Sequence, residues 1–126
     1  MPTPLLILLV DDEPEVVELY GKKLKMAGFQ VITAVNGKEA LAIAREKHPD
    51  LILLDFKMPE MNGIEVLIKL KESPETRDLK VVFLTAFSDP AVPEVDIQAA
   101  KNIGAVDYIK KGLELDKLIE KIRTYL

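Results

Sequence analysis

Pro49-Asp50-Leu51-Ile52-Leu53-Leu54-Asp55-Phe56-Lys57-Met58-Pro59-Glu60-Met61-Asn62-Gly63 is the stretch that decides the fold. Its apolar run, Leu51 to Leu54, is too short for a helix and has the character of a strand buried on both faces. The run stops at an acid, Asp55, and gives way to Met58-Pro59 and Asn62-Gly63, which are loop and turn chemistry. A carboxylate therefore stands at the C-terminal end of a buried strand and opens into a loop. Such a group needs a partner or a task, because burying a lone charge is strongly unfavourable. In open α/β sheets that edge is where ligands bind.

The chain alternates on either side of this stretch. Leu5 to Val10 is an apolar strand run. Glu13 to Ala27 reads as a helix, with Pro14 in its first turn, Val16, Val17, Tyr20, Leu24 and Ala27 at helical spacing, and Gly28 as its stop. Val31 to Ala34 is a short strand. Asn36 caps a second helix with Glu39 as its capping-box partner, Ala40, Leu41 and Ala44 face inward, and His48-Pro49 ends it. Gly63 to Glu72 is a third helix, read with Ile64, Leu67 and Ile68 on its buried side. Ser73 to Asp78 is a polar turn, Lys80 to Thr85 a fourth strand. A loop with Pro90 and Pro93 leads to a fourth helix over about Glu94 to Asn102. Ala105 to Ile109 is the fifth strand, and Leu115, Leu118, Ile119 and Ile122 mark the last helix. Alternation of this kind predicts right-handed βαβ units in an α/β fold, a five-stranded parallel sheet with helices on both faces.

The bounds agree. The 126 residues suit a single domain over 1–126. With 48% apolar and 30% charged residues the composition is that of an ordinary globular protein. A net charge of -4 argues against direct nucleic-acid or anionic-membrane binding. No apolar run is long enough to span a bilayer, and Met1 to Val10 lacks the basic start of a signal peptide. The absence of cysteine excludes thiol chemistry and suits a cytoplasmic location.

In a parallel sheet all strand C-termini share one edge, so Asp11, Asp12, Glu13, Asp55, Thr85, Lys110 and Lys111 can meet there. Crowded carboxylates raise one another's pKa, and a divalent cation relieves the repulsion. Oxygen ligands without His or Cys suit a hard ion, and a few carboxylates plus water suit Mg²⁺ better than Ca²⁺, with Mn²⁺ as a substitute. A metal beside an exposed carboxylate, with an ammonium nearby, can bind a phosphoryl group. Asp55 could then be a nucleophile that forms an acyl phosphate, with the Thr85 hydroxyl donating to the phosphoryl oxygens.

Four segments resemble the receiver domain of two-component response regulators, and the likeness covers the whole chain: Leu9-Val10-Asp11-Asp12-Glu13, Asp55 to Gly63, Leu84-Thr85-Ala86 and Gly104-Ala105-Val106-Asp107-Tyr108-Ile109-Lys110-Lys111. Each is weak alone; four in order, each at a strand end, are specific. The resemblance implies a doubly wound flavodoxin-like sandwich with strand order 2-1-3-4-5, close to the chemotaxis-type stand-alone receivers. It makes Asp55 the phosphoacceptor, Asp12 a direct Mg²⁺ ligand, Asp11 an acid acting through metal-bound water, and the Lys57 backbone carbonyl the third protein ligand. Thr85 and the Ala86 backbone N–H become phosphoryl contacts, Tyr108 the aromatic switch, and Lys111 the catalytic lysine. The implied donor is a phosphohistidine on a sensor histidine kinase or phosphotransfer protein, because the single histidine, His48, ends a helix away from the site. The implied output is a shift of the face made by the fourth helix, fifth strand and fifth helix toward a downstream protein. Such a domain catalyses only its own phosphorylation and dephosphorylation.

Plainer readings exist for each residue. Asp11, Asp12 and Glu13 could only favour the positive end of the first helix. Thr85 could be an ordinary β-branched strand residue, Lys110 and Lys111 solvated charges, Tyr108 a half-buried aromatic. As a whole, an aspartate-nucleophile phosphatase of the haloacid dehalogenase type is disfavoured by Lys57, where that class wants a second acid. A never-phosphorylated pseudo-receiver is disfavoured by the intact acid set, and a flavin-binding protein by the lack of a Gly/Ser/Thr-rich loop after Val10. Two features depart from the family pattern. Gly112 follows Lys111 in place of the usual proline, so a trans bond is expected there. The segment from Thr85 to Gly104 is about one helical turn longer than usual, with the excess before the fourth helix.

Overall fold

The computed structural model describes residues 4–58, 60–85, 94–111 and 115–126, excepting the side chains at 85, 94–97 and 115. Its elements alternate without exception: β1 (Leu6–Val10), α1 (Pro14–Met26), β2 (Gln30–Ala34), α2 (Gly37–Lys47), β3 (Leu51–Asp55), α3 (Gly63–Glu72), β4 (Val81–Thr85), α4 (Glu94–Ile103), β5 (Asp107–Lys110) and α5 (Leu115–Tyr125). The strands form one parallel sheet in the order β2-β1-β3-β4-β5. This is the doubly wound α/β architecture expected from the alternation and the resemblance. Among the described residues no helix is long and apolar enough to cross a membrane.

The central strands β1, β3 and β4 are apolar up to their last residues, because both faces of the sheet are covered there. Successive residues point to opposite sides, and the core divides accordingly. Leu8, Val10, Ile52, Leu54, Val81 and Phe83 pack with residues of α2, α3 and α4. Ile7, Leu9, Leu51, Leu53, Val82, Leu84 and Ile109 pack with Tyr20 and Leu24 of α1 and Leu118, Ile119 and Ile122 of α5. Every residue of β3 is buried, including Asp55.

Local chemistry sets the helix ends. Asn36 Oδ1 accepts the Glu39 N–H at 2.8 Å, as read from the sequence, and Asn62 does the same for Glu65 at 3.0 Å. Helix α1 closes with Gly28 at φ 100, the Gly28 N–H reaching Lys25 O at 3.0 Å and the Phe29 N–H reaching Leu24 O at 3.2 Å. Gly104 at φ 135 ends α4 the same way, through Lys101 O and Ala100 O. His48 caps α2 in the left-handed region, its N–H on Ala44 O.

Two expectations need correction. The buried stripe of α3 is Gly63, Val66, Leu67 and Leu70, while Ile68 is 40% exposed and Ile64 only half-buried. Val66 and Leu70 define the i, i+3, i+4, i+7 face together with Gly63, so the stripe lies one residue away from the one read. Strand β5 starts at Asp107, because Ala105 is still held by the end of α4 through its N–H to Ala100 O. The polar turn over Ser73 to Asp78 is present, and within it Thr76 is buried, its hydroxyl donating to Leu70 O at 2.7 Å to satisfy a carbonyl near the end of α3. The long loop before α4, with Ala86, Phe87, Pro90 and Pro93, and the Lys111–Gly112 bond lie outside the described residues.

Gly63 fixes the loop that follows Asp55. Its N–H donates to Phe56 O at 2.9 Å, and a Cβ built on it would meet the Phe83 ring at 2.6 Å and the Asp55 backbone carbonyl at 2.7 Å. Gly21, inside α1, differs: a Cβ there would meet only Leu9 Cδ2, at 3.9 Å. We therefore expect opposite signs in urea unfolding. Gly63→Ala should lower stability by about 1–3 kcal/mol through overpacking, and Gly21→Ala should raise it by roughly 0.5–1 kcal/mol through helix propensity.

Candidate functional site

The strand order puts β1 beside β3, with Val10 opposite Leu54. The residues after them, Asp11 and Asp12, therefore come level with Asp55, the last residue of β3. Carboxylate oxygens of Asp11, Asp12 and Asp55 lie within 4.8 Å of one another. The main chain continues the sheet into the site: the Asp11 N–H donates to Ala34 O at 3.1 Å and the Phe56 N–H to Leu84 O at 3.0 Å. Lys57 stands two residues beyond Asp55 with its side chain exposed. Glu60, later in the same loop, has φ 66, a left-handed conformation that is strained for a side chain of its kind.

Lys111, just past β5, sends its ammonium into this acidic corner. Nζ lies 2.7 Å from Asp11 Oδ2, 3.2 Å from Asp55 Oδ1 and 3.5 Å from Glu13 Oε1. The Asp11 and Asp55 side chains are 0% and 5% exposed and Lys111 14%, whereas Glu13 is 61% exposed. Asp11 Oδ1 accepts the Glu13 N–H at 2.9 Å, while the buried Oδ2 makes no aligned hydrogen bond and meets Lys111 as a charge contact. Lys110, its neighbour, is exposed in strand register opposite Thr85.

Burial, then the negative charge of Asp11, pushes the Asp55 carboxyl up from the usual 3.8 to about 7 against the lowering pull of Lys111. Burial alone would lower the Lys111 ammonium, but its close ion pair with Asp11 and the charge of Asp55 hold it above its ordinary value. A hard cation fits these donors. Three carboxylate oxygens converge, and the buried Asp11 Oδ2 lacks an aligned donor.

Of the other expected residues, Thr85 ends β4 in this edge, its side chain outside the described residues, as is Ala86. Tyr108 is half-buried on β5 against the α2–α4 side of the core. His48 lines a cavity of about 310 Å³ with Asp50, Asp78 and Lys80. That cavity lies at the N-terminal ends of the strands, so His48 is remote from Asp55. Two pairings were not specified by the sequence, although Glu13 and Lys111 were expected on one edge. One is the reach of Glu13 to a lysine 98 positions away. The other surrounds Asp107, whose carboxylate accepts the Tyr125 hydroxyl at 2.6 Å and lies 3.4 Å from Lys101 Nζ, itself 5.5 Å from the centre of the Tyr108 ring. The Tyr125 hydroxyl, the Tyr108 N–H and Lys101 together outweigh partial burial and hold the Asp107 carboxyl below its usual range. No periodicity signals either contact.

A doubly wound parallel sheet with acids and a lysine at its C-terminal edge defines a phosphoryl-handling α/β domain. The chain matches the response regulator receiver domain over residues 7–123 and belongs to that family, whose general function is to accept a phosphoryl group. It is 35% identical over 120 residues to the polar-differentiation response regulator DivK of Brucella ovis, spanning 95% of this chain and 94% of that protein. The chemotaxis protein CheY4 of Vibrio cholerae superposes with a TM-score of 0.87 at 27% identity, covering 98% of this chain and all 100% of the other. The signal receiver domain of a signal transduction histidine kinase from Syntrophus aciditrophicus gives 0.82 at 34% identity, covering 96% and 89%.

The raised Asp55 carboxyl has a thermodynamic consequence. Between pH 3.8 and about 7 the folded protein holds a proton that the unfolded chain has released, so stability falls as pH rises through that window. Asp107, shifted down, acts below the window, its contribution being lost only as pH falls under the usual carboxylate range. Without metal, urea unfolding should show stability dropping by a few kcal/mol from about pH 4 to pH 7. Asp55→Asn should flatten that slope, and so should saturating Mg²⁺, which favours the ionised acid.

Proposed function

We propose that Asp55 is the phosphoacceptor of this receiver, and that residues 1–126 act as one cytoplasmic signalling domain. The observation that carries this reading is the convergence of the Asp11, Asp12 and Asp55 carboxylates, with the Lys111 ammonium seated against Asp11 and Asp55. In the transfer, an Asp55 carboxylate oxygen forms a P–O bond as the donor's P–N bond breaks. The leaving imidazole of a phosphohistidine keeps the electron pair. Lys111 neutralises the charge that arrives with the phosphoryl group, and the Thr85 hydroxyl and Ala86 N–H take its oxygens. Asp12, Asp55 and the Lys57 carbonyl would hold Mg²⁺ directly and Asp11 through water. The cation supplies charge neutralisation of the phosphoryl oxygens. With His48 at the far end of the sheet, the donor is a separate sensor histidine kinase or phosphotransfer protein.

Tyr108 then turns with Thr85 and shifts the α4–β5–α5 face toward a downstream partner. The intact acid set and the paired lysine support an active receiver over a pseudo-receiver. The domain catalyses nothing beyond its own phosphorylation and dephosphorylation.

Asp55→Asn is nearly isosteric and should keep the fold while abolishing labelling by acetyl phosphate in Mg²⁺, read by intact mass. Labelling of that variant at the wild-type rate would sink the assignment. In a titration, Asp12→Ala should weaken Mg²⁺ binding far more than Glu15→Ala, which removes an acid from the first turn of α1; equal affinities would remove Asp12 from the ligand set.

A further inference from the structure

We propose that Glu13 acts through Lys111 as an electrostatic gate that weakens the site's hold on small free phosphodonor anions. The proposal rests on Asp55 being the acceptor and adds a specificity-setting residue to that site.

Glu13 occupies the N-cap position of α1, where a negative charge is favoured by the positive end of the helix and a short side chain such as Asp would bond the first amides. It makes no such bond. Its main chain is already committed: the N–H donates to Asp11 Oδ1, and the carbonyl accepts from Val16 and Val17. The carboxylate instead reaches across the sheet edge to the Lys111 ammonium, at 3.5 Å. It is the outermost of the three acids on that ammonium, 61% exposed while Lys111 is 14% exposed. An anion approaching Asp55 from solvent therefore meets the Glu13 charge before it meets the lysine.

Two effects follow, and both have the same sign. Glu13 repels an incoming dianion directly, and it competes for the Lys111 ammonium that contacts Asp55. A free phosphodonor has little besides its charge to hold it at the site. A protein donor brings an interface whose contact energy offsets the repulsion. Glu13 thus biases the acceptor against small metabolic acyl phosphates and toward a phosphoryl group delivered on a protein surface. Because Glu13 is exposed, its effect must also be screened by salt.

The test is the concentration of acetyl phosphate giving half-maximal labelling rate, read by intact mass at saturating Mg²⁺. Wild type, Glu13→Gln and Glu15→Gln are compared at about 0.01 M and about 1 M salt, where the screening length falls from roughly 30 Å to roughly 3 Å. Glu15→Gln removes the same charge from the first turn of α1, which separates the gate from a general change in net charge.

Glu13→Gln should lower the half-maximal concentration roughly three- to tenfold at low salt and leave it near wild type at high salt. Glu15→Gln should stay within about twofold of wild type, the size of a typical exposed charge effect. A wild-type response from Glu13→Gln, or an equal response from Glu15→Gln, overturns the gate. Loss of Mg²⁺ affinity in Glu13→Gln as large as that in Asp12→Ala also overturns it, since Glu13 would then be a ligand. Labelling of Asp55→Asn would instead remove the acceptor assignment, and the gate with it.

Discussion

Two buried carboxylates, Asp11 and Asp55, share one lysine ammonium, and the rest of the edge is arranged around that compromise. The sheet creates the problem. Parallel strands end together, and the order β2-β1-β3-β4-β5 makes β1 and β3 neighbours, so the acids that follow or end them must lie side by side. A single lysine offsets part of the cost, and burial first, then the Asp11 charge, still push the Asp55 carboxyl up to about 7. The sheet tolerates it because strands buried on both faces contribute far more to stability than one strained edge removes. The resting site is therefore short of positive charge, and that shortage is what suits it to a cation and to a reaction that brings and removes phosphoryl charge.

Most of the scaffold was legible because it rests on local rules. Apolar runs of strand length, Pro14 at a helix start, Asn36 with Glu39, and glycine after α1 are each decided within a few residues, and each is found where the sequence indicates. The failures share a different cause. The face of α3 was misread because Ile64 and Ile68 are as apolar as Val66 and Leu70; only the position of the sheet decides which stripe is covered. The start of β5 was misread because the tail of α4 claims Ala105.

The acids of the site were legible through strand ends and resemblance, since both depend on position along the chain. The particular pairings of Glu13 and Asp107 were not, although Glu13 and Lys111 were expected on the same edge. Glu13 chooses between its own helix and a lysine 98 positions away, and Asp107 finds Tyr125 18 positions on. Both choices depend on distances that exist only after the sheet and α5 have formed. Charged and hydroxylated side chains have several possible partners of similar energy, and tertiary geometry selects among them.

Strand β5 joins the two halves of this arrangement. At its C-terminal end Lys111 enters the acid corner; at its start Asp107 ties α5 through Tyr125 and α4 through Lys101. Tyr108 lies between, next to Asp107 and beneath the same lysine. Four residues of extended chain separate these ends, roughly 13 Å of stiff backbone. Any change in charge around Lys111 is therefore felt at one end of a short rod whose other end holds two helices by charged and hydroxyl contacts. Those contacts are directional and few, and they can be remade at small cost, unlike the apolar packing of β1 and β3. The edge strand thus links the acid corner to α4 and α5, while the central strands hold the acids in place.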